Sequence, residues 1–260
     1  MDPEAIGRKV PRPHPGGEDL FEVLFKGSYP RIHDQSLDPQ QWLGNYVQTY
    51  LERDVRELVN VGDLEAFGRF IRLCAGRSGQ LLNLSSLGAD CGVTHTTAHR
   101  WLSVLEASFL IFLLRPHYRN FSKRLVKSPK LYFLDTGLLC YLLRIRSAED
   151  LRVHAARGAV FETFVISELL KSQYHHAAEP DLYFWRDSAG HEIDLVIDQG
   201  QDLVAVEIKS SETIADDFFK GLDFWRTLPG QEHAPAALVH GGTDAYLRRG
   251  FAVYSWNLWG

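Results

Sequence analysis

His191-Glu192-Ile193-Asp194-Leu195-Val196-Ile197-Asp198 and, just after it, Leu203-Val204-Ala205-Val206-Glu207-Ile208-Lys209 decide how this chain is read. Both runs alternate polar and apolar residues, the period-two pattern of a half-buried strand. Side chains two apart on a strand share a face, so Glu192 with Asp194, and Glu207 with Lys209, point the same way. Charges set mid-strand among Ile, Val and Leu cost free energy unless a metal ion or an opposite charge compensates them. The two runs therefore distribute two carboxylates, Asp194 and Glu207, and the Lys209 ammonium over adjacent strands. A further carboxylate, Glu162, lies upstream on an expected helix.

Working outward, a helix is expected over Gly158–Tyr174, with Phe161, Val165, Leu169 and Leu170 facing inward. Strands follow at Asp181–Arg186, Glu192–Asp198 and Leu203–Ser210, then a helix at Asp216–Leu228 and strands at Ala236–Val239 and Ala252–Trp256. This is a mixed α/β order. Pro180-Asp181 reads as a turn that starts a strand, Trp185 and Trp225 as core, and Asp135-Thr136-Gly137 as a helix-capping turn.

Residues 1–38 read as a linker or arm, punctuated by Pro3, Pro11, Pro13, Pro15 and Gly16-Gly17, with a short helix over Leu20–Lys26. An amphipathic helix is expected from Pro39 to about Val59 and a second from Asp63 to Ala75. Leu84–Cys91, a turn at Gly92 and a Thr94-capped helix to Ala107 make a helix-turn-helix pattern. Ala98, Trp101, Leu102 and Leu105 face inward there, and His95, Thr96, His99, Arg100 and Ser103 outward. Phe109–Leu114 and Lys130–Leu134 are expected to pair as a wing. Arg115, His117, Arg119, Lys123, Arg124 and Lys127 fall between these strands with no acidic residue among them. The pattern resembles a winged helix, and the resemblance implies DNA contact through Arg100 and that basic block. The alternative is a helical module that packs only on its neighbours, with the basic run as a solvated loop.

Composition narrows the classes. At 260 residues, 45% hydrophobic, the chain is long enough for two domains with a sizeable core. A net charge of −5 means that any attraction to nucleic acid is local. Cys74, Cys91 and Cys140 are few, odd in number and widely spaced, which argues for a reducing cytoplasm rather than a disulfide framework or a zinc site. The longest apolar stretch, Ala107–Leu114, is too short to span a bilayer, and no signal peptide opens the chain, so a cytoplasmic protein without membrane association is expected.

The helix–strand order, with Glu162, Asp194 and Glu207-Ile208-Lys209 in these places, resembles the PD-(D/E)xK nuclease superfamily. The resemblance implies that Asp194 and Glu207 ligate Mg²⁺ (or Mn²⁺), that Ile208 adds its carbonyl and that Glu162 is a supporting ligand. Lys209 becomes the cation that positions the attacking water. Ile193 stands where that family's motif has Pro. A wider resemblance is carried by Gly27-Ser28-Tyr29-Pro30-Arg31, Tyr50-Leu51-Glu52-Arg53-Asp54-Val55, Lys130 through Leu138, Gly158-Ala159-Val160-Phe161-Glu162 and the Phe184–Lys209 stretch. These look like the domain of unknown function attached C-terminally to many prokaryotic AAA-type ATPases. The chain has no Gly-x-x-x-x-Gly-Lys-Ser/Thr loop, so it is not expected to bind ATP.

The expected architecture is α+β overall. A helical winged-helix-like domain over 39–150 is followed by a restriction-endonuclease-like α/β domain with a mixed central sheet over 151–260. The expected function is Mg²⁺-dependent phosphodiester hydrolysis on DNA. The alternative is a catalytically inactive module that binds DNA, a partner protein or an ATPase module, with Lys209 paired to Glu207 or Asp194 as a structural counter-ion. A weaker third option is a transcription regulator.

Overall fold

The computed structural model describes residues 17–50, 64–117 and 126–258. Helices dominate the N-terminal part and an eight-stranded mixed sheet the C-terminal part. The chain divides into two compact units. One comprises Phe21–Leu113 and Pro129–Thr163; the other comprises Met1–Leu20, Leu114–Ser128 and Phe164–Gly260. Among the described residues no helix is long and apolar enough to cross a membrane.

The helical unit holds α1 (Leu20–Lys26), α2 (Pro30–Asp34), α3 (Pro39–Thr49), α4 (Leu64–Ala75), α5 (Leu84–Cys91) and α6 (His95–Ala107). Asp38 caps α3 by accepting from Gln41 N–H, and Pro39 at the first helical position needs no hydrogen bond there. The rest of the helix expected to reach Val59 lies outside the described residues. The α5–α6 turn follows its sequence signals. Asn83 caps α5, Gly92 ends it in the left-handed region at φ 73°, and the Thr94 hydroxyl accepts from Thr97 N–H to start α6. Ala98, Trp101, Leu102 and Leu105 are buried, whereas His95, His99, Arg100 and Ser103 are exposed. The Trp101 ring meets Phe67 and Phe70 of α4 edge-on, at 5.2 and 5.5 Å between centroids.

Strand β1 (Ile111–Pro116) and strand β2 (Lys130–Phe133) are neighbours in the sheet. β1 also pairs in parallel with a later strand, Arg115 opposite Tyr183, so both strands belong to the large sheet. Helix α7 (Thr136–Leu142) is capped by Asp135, whose Oδ1 accepts from Leu138 N–H at 2.7 Å. The other carboxylate oxygen accepts from Ser28 N–H at 2.6 Å and from the Ser28 hydroxyl at 3.1 Å. Two glycines permit this junction: a Cβ on Gly137 would lie 2.6 Å from the Lys26 carbonyl oxygen, and one on Gly27 2.5 Å from Asp135 Oδ1. Helices α8 (Ala148–Val153) and α9 (Arg157–His175) follow.

The sheet unit contributes β3 (Leu182–Arg186), β4 (Glu192–Asp198), β5 (Leu203–Lys209), a 3-10 turn at Asp216–Phe219, α10 (Lys220–Trp225), β6 (Ala236–His240), β7 (Tyr246–Arg248) and β8 (Phe251–Ser255). The strand order is β2-β1-β3-β4-β5-β6-β8-β7. β4 runs antiparallel to both β3 and β5, β6 and β8 continue parallel to β5, and β7 closes an antiparallel edge. Trp185, Phe219, Leu222, Trp225 and Leu238 are fully buried in one core with Ile193, Val196 and Phe251. The turn and α10 replace the longer helix expected to Leu228, and they lie over the β4–β5 part of the sheet.

Candidate functional site

The site is a consequence of strand register. β4 and β5 pair with Leu195 opposite Val206 and Val196 opposite Ala205, and one further step sets Asp194 opposite Glu207. Asp194 Oδ2 accepts from Ile208 N–H at 2.9 Å and from Lys209 Nζ at 3.0 Å. Lys209 Nζ also donates to Glu207 Oε2 at 2.7 Å. One ammonium thus joins two carboxylates from neighbouring strands. The side chains are largely withdrawn from water: Glu207 is 8% exposed, Asp194 15% and Lys209 31%.

Electrostatics follow from that crowding. Burial and then the Asp194 charge push the Glu207 carboxyl well above the ordinary carboxylate range, against the pull of Lys209. Burial alone would lower Lys209, but the Asp194 and Glu207 carboxylates outweigh it and keep the ammonium charged. The group therefore carries a charged Lys209 and, in Glu207, a carboxyl inclined to keep a proton.

Gly221 on α10 completes the walls. A Cβ there would lie 2.1 Å from Glu207 Oε1 and 3.0 Å from the Glu192 carbonyl oxygen, so only glycine lets the helix backbone rest on the carboxylate. Glu192 itself pairs with Arg186 at 3.1 Å across β3 and β4. Lys209 stands opposite His240 on β6. The buried His240 Nδ1 accepts from Gly242 N–H at 3.1 Å, which leaves Nε2–H to donate to the Asp244 carbonyl at 2.8 Å and holds the ring in place. Neither Gly221 nor His240 carried a local sequence signal, since both act through strands and helices distant in the chain.

Of the four expected catalytic residues, Asp194, Glu207 and Lys209 come together. Glu162, on α9, belongs to the helical unit, where its Oε1 accepts from Lys130 Nζ at 3.2 Å and from the Tyr132 hydroxyl. Among the expected DNA contacts, Arg100, Arg115 and Lys127 are exposed, and Arg119, Lys123 and Arg124 lie outside the described residues. His117, in the same basic stretch, is buried against Asp198 at 3.3 Å.

The donor set suits a hard cation. Asp194, Glu207 and the Ile208 carbonyl offer oxygen only, and Mg²⁺ commonly takes one or two carboxylates and keeps several waters. The crowding that raises Glu207 is what a cation would relieve. Among the described residues no group of three or more His, Cys, Asp or Glu side chains is arranged to hold a metal, so any ion here depends on few protein ligands.

Two family models match the chain: a domain of unknown function (DUF8612) over residues 17–149 and a domain of unknown function (DUF4143) over residues 157–259. Two mycobacterial proteins, one of Mycobacterium bovis and one of Mycobacterium tuberculosis, both described as uncharacterized, are 33% identical over 176 residues. That alignment covers 68% of this chain and 39% of each relative, so the chain spans about two fifths of the length of the curated relatives it matches. No solved structure matches it.

Proposed function

We propose that this chain, which belongs to the family of the domain of unknown function DUF8612, carries in its sheet unit a Mg²⁺-dependent phosphodiesterase centre of restriction-endonuclease-like kind acting on DNA. The observation that supports this best is the Asp194–Lys209–Glu207 cluster, two part-buried carboxylates brought face to face across strands around one ammonium. In this reading Asp194, Glu207 and the Ile208 carbonyl hold the ion. A bound Mg²⁺ supplies positive charge against the phosphate oxygens during in-line attack. Lys209 turns from its carboxylate partners to orient the attacking water by donating to its oxygen. The water oxygen would bond to phosphorus as its proton passes to solvent, and the bond to the leaving oxygen would break with that oxygen taking a proton from solvent to leave as the alcohol. In the helical unit the α5–α6 pair with its exposed Arg100 is read as the winged-helix-like part that assists DNA capture; in the sheet unit the exposed Arg115 and Lys127 are read as separate phosphate contacts.

A second reading is favoured by the same geometry. Lys209 already donates to both carboxyl groups, and α10 already covers Glu207 Oε1, as a structural ion pair in a non-catalytic module would have it. DUF4143 domains commonly accompany AAA-type ATPases, and the accessory role would be exerted on such a partner. Melting curves with Mg²⁺ or Mn²⁺, alongside cleavage of plasmid and single-stranded DNA, separate the two. Under the first reading Asp194→Asn loses ion binding and cleavage together, whereas Lys209→Ala loses turnover more than affinity. A wild type that neither cleaves DNA nor shifts its melting point with either ion establishes the second.

A further inference from the structure

We infer that the His191 ring, stacked on Phe224 beside the Asp194–Glu207–Lys209 cluster, is a platform for an unpaired nucleobase, which makes the substrate single-stranded or frayed nucleic acid. This inference rests on the phosphodiesterase reading and adds the substrate class. His191 follows the turn between β3 and β4, and Asp187 governs that turn. The Asp187 side chain is 2% exposed and that of His191 44%. Asp187 Oδ1 accepts from the backbone N–H groups of Ala189 at 2.9 Å and His191 at 3.0 Å, and Oδ2 meets the ring Nδ1 at 2.9 Å. An aspartate accepts only, so Nδ1 carries the proton and the edge of the ring is pinned.

The faces are constrained as well. The His191 and Phe224 rings lie parallel, 2° apart with centroids at 3.7 Å. Phe224 leans on Trp185 at 6.1 Å, and Trp185 meets Trp225 edge-on at 5.6 Å. Both tryptophans are fully buried. An aromatic ladder therefore rises from the core and ends in a flat ring that is held on one edge and one face and is 44% exposed. A side chain immobilised before binding loses little entropy when a flat partner lands on it.

Position ties this platform to the cluster. Gly221 and Phe224 are three apart on α10 and so share a helix face. Gly221 rests on Glu207, and Phe224 carries His191. One short helix thus serves both the carboxylate and the platform, from positions about one helical turn apart. Stacking also suits a locally acidic surface, because it needs no basic side chain. A base within a duplex is already stacked on both sides, so the platform selects unpaired ones.

The test uses the whole chain without metal and an oligonucleotide bearing 2-aminopurine, titrated over a range of salt. His191→Ala should weaken single-strand binding about 5- to 150-fold and abolish the fluorescence quenching that stacking causes. His191→Phe should bind like the wild type, and the log–log salt slope should be the same in all three proteins. A lost phosphate contact would instead flatten the slope by about 0.7. Equal binding by His191→Ala, failure of His191→Phe to restore it, or a flattened slope overturns the platform. Cleavage is scored separately. His191-dependent stacking in a wild type that never cleaves with Mg²⁺ sinks the phosphodiesterase reading alone, and intact cleavage with His191-independent binding sinks the platform alone.

Discussion

Glu207→Gln is the substitution whose outcome the geometry constrains most. In the folded chain, burial and the Asp194 charge raise the Glu207 carboxyl; in the unfolded chain it titrates near about 4.3. Between those values the folded state keeps a proton that the unfolded state has released. Stability therefore falls as pH rises through that window, by about 1.4 kcal/mol per pH unit while the difference is one full proton. An amide of the same shape cannot titrate, and its oxygen still accepts from Lys209. The variant should thus be flat where the wild type declines, and should be the more stable protein at the upper end of the window. The loss of a charged acceptor for Lys209 offsets part of this gain, but Asp194 remains 3.0 Å from the ammonium. Urea titrations from roughly pH 4 to 8, with and without Mg²⁺, measure the effect. Under the phosphodiesterase reading Mg²⁺ takes the place of the proton, so it flattens the wild-type curve and leaves the variant unmoved. Parallel curves for the two proteins, or a wild type that gains stability across the window, would refute the reasoning.

Gly221→Ala puts a methyl group 2.1 Å from Glu207 Oε1 beneath a helix anchored by the buried Leu222 and Trp225. The overpacking costs about 1–3 kcal/mol, against roughly 1 kcal/mol of helix propensity regained, so denaturant melts should show a net loss. Glu162→Gln withdraws the carboxylate charge from the buried Lys130 and should cost about 3–5 kcal/mol. Calorimetric Mg²⁺ affinity should stay within about twofold, since 1.4 kcal/mol already means tenfold; a tenfold loss would make Glu162 a ligand. Asp135→Ala removes the α7 cap and both Ser28 bonds. A loss of about 2–4 kcal/mol in thermal or urea unfolding is expected.

What was legible in the sequence was mostly local. Both strands stand at 192–198 and 203–209 as expected, but β5 is buried on both faces from Leu203 to Ile208 rather than half-buried, because strands flank it on either side and α10 lies over it. Cap residues gave the ends of α5 and α6, because a side-chain oxygen and a left-handed glycine act within one turn. β7 escaped notice: three residues are too few to display a period. The expected helix from Asp216 begins instead as a 3-10 turn and stops at Trp225. Packing of Phe219, Leu222 and Trp225 into the core outweighs propensity there. The partners of Glu162 are also tertiary facts. Lys130 and Tyr132 sit two apart on β2, a pattern that announces an edge facing something but not what it faces. The Asp187–His191 contact was missed for a different reason, since it spans four residues in a turn and no strand or helix period reports it.

The Ser28–Asp135 junction bears on the order in which this chain can fold as it is made. The two residues are 107 positions apart. At about 5–20 residues per second, synthesis takes roughly 5–20 s to bring Asp135 out after Ser28. Until then Ser28, and the α1–α2 turn that Gly27 permits, lack the acceptor that holds them. Nascent chains stalled before and after Asp135 should therefore differ sharply in protease sensitivity near Lys26, with protection arriving only once α7 has emerged.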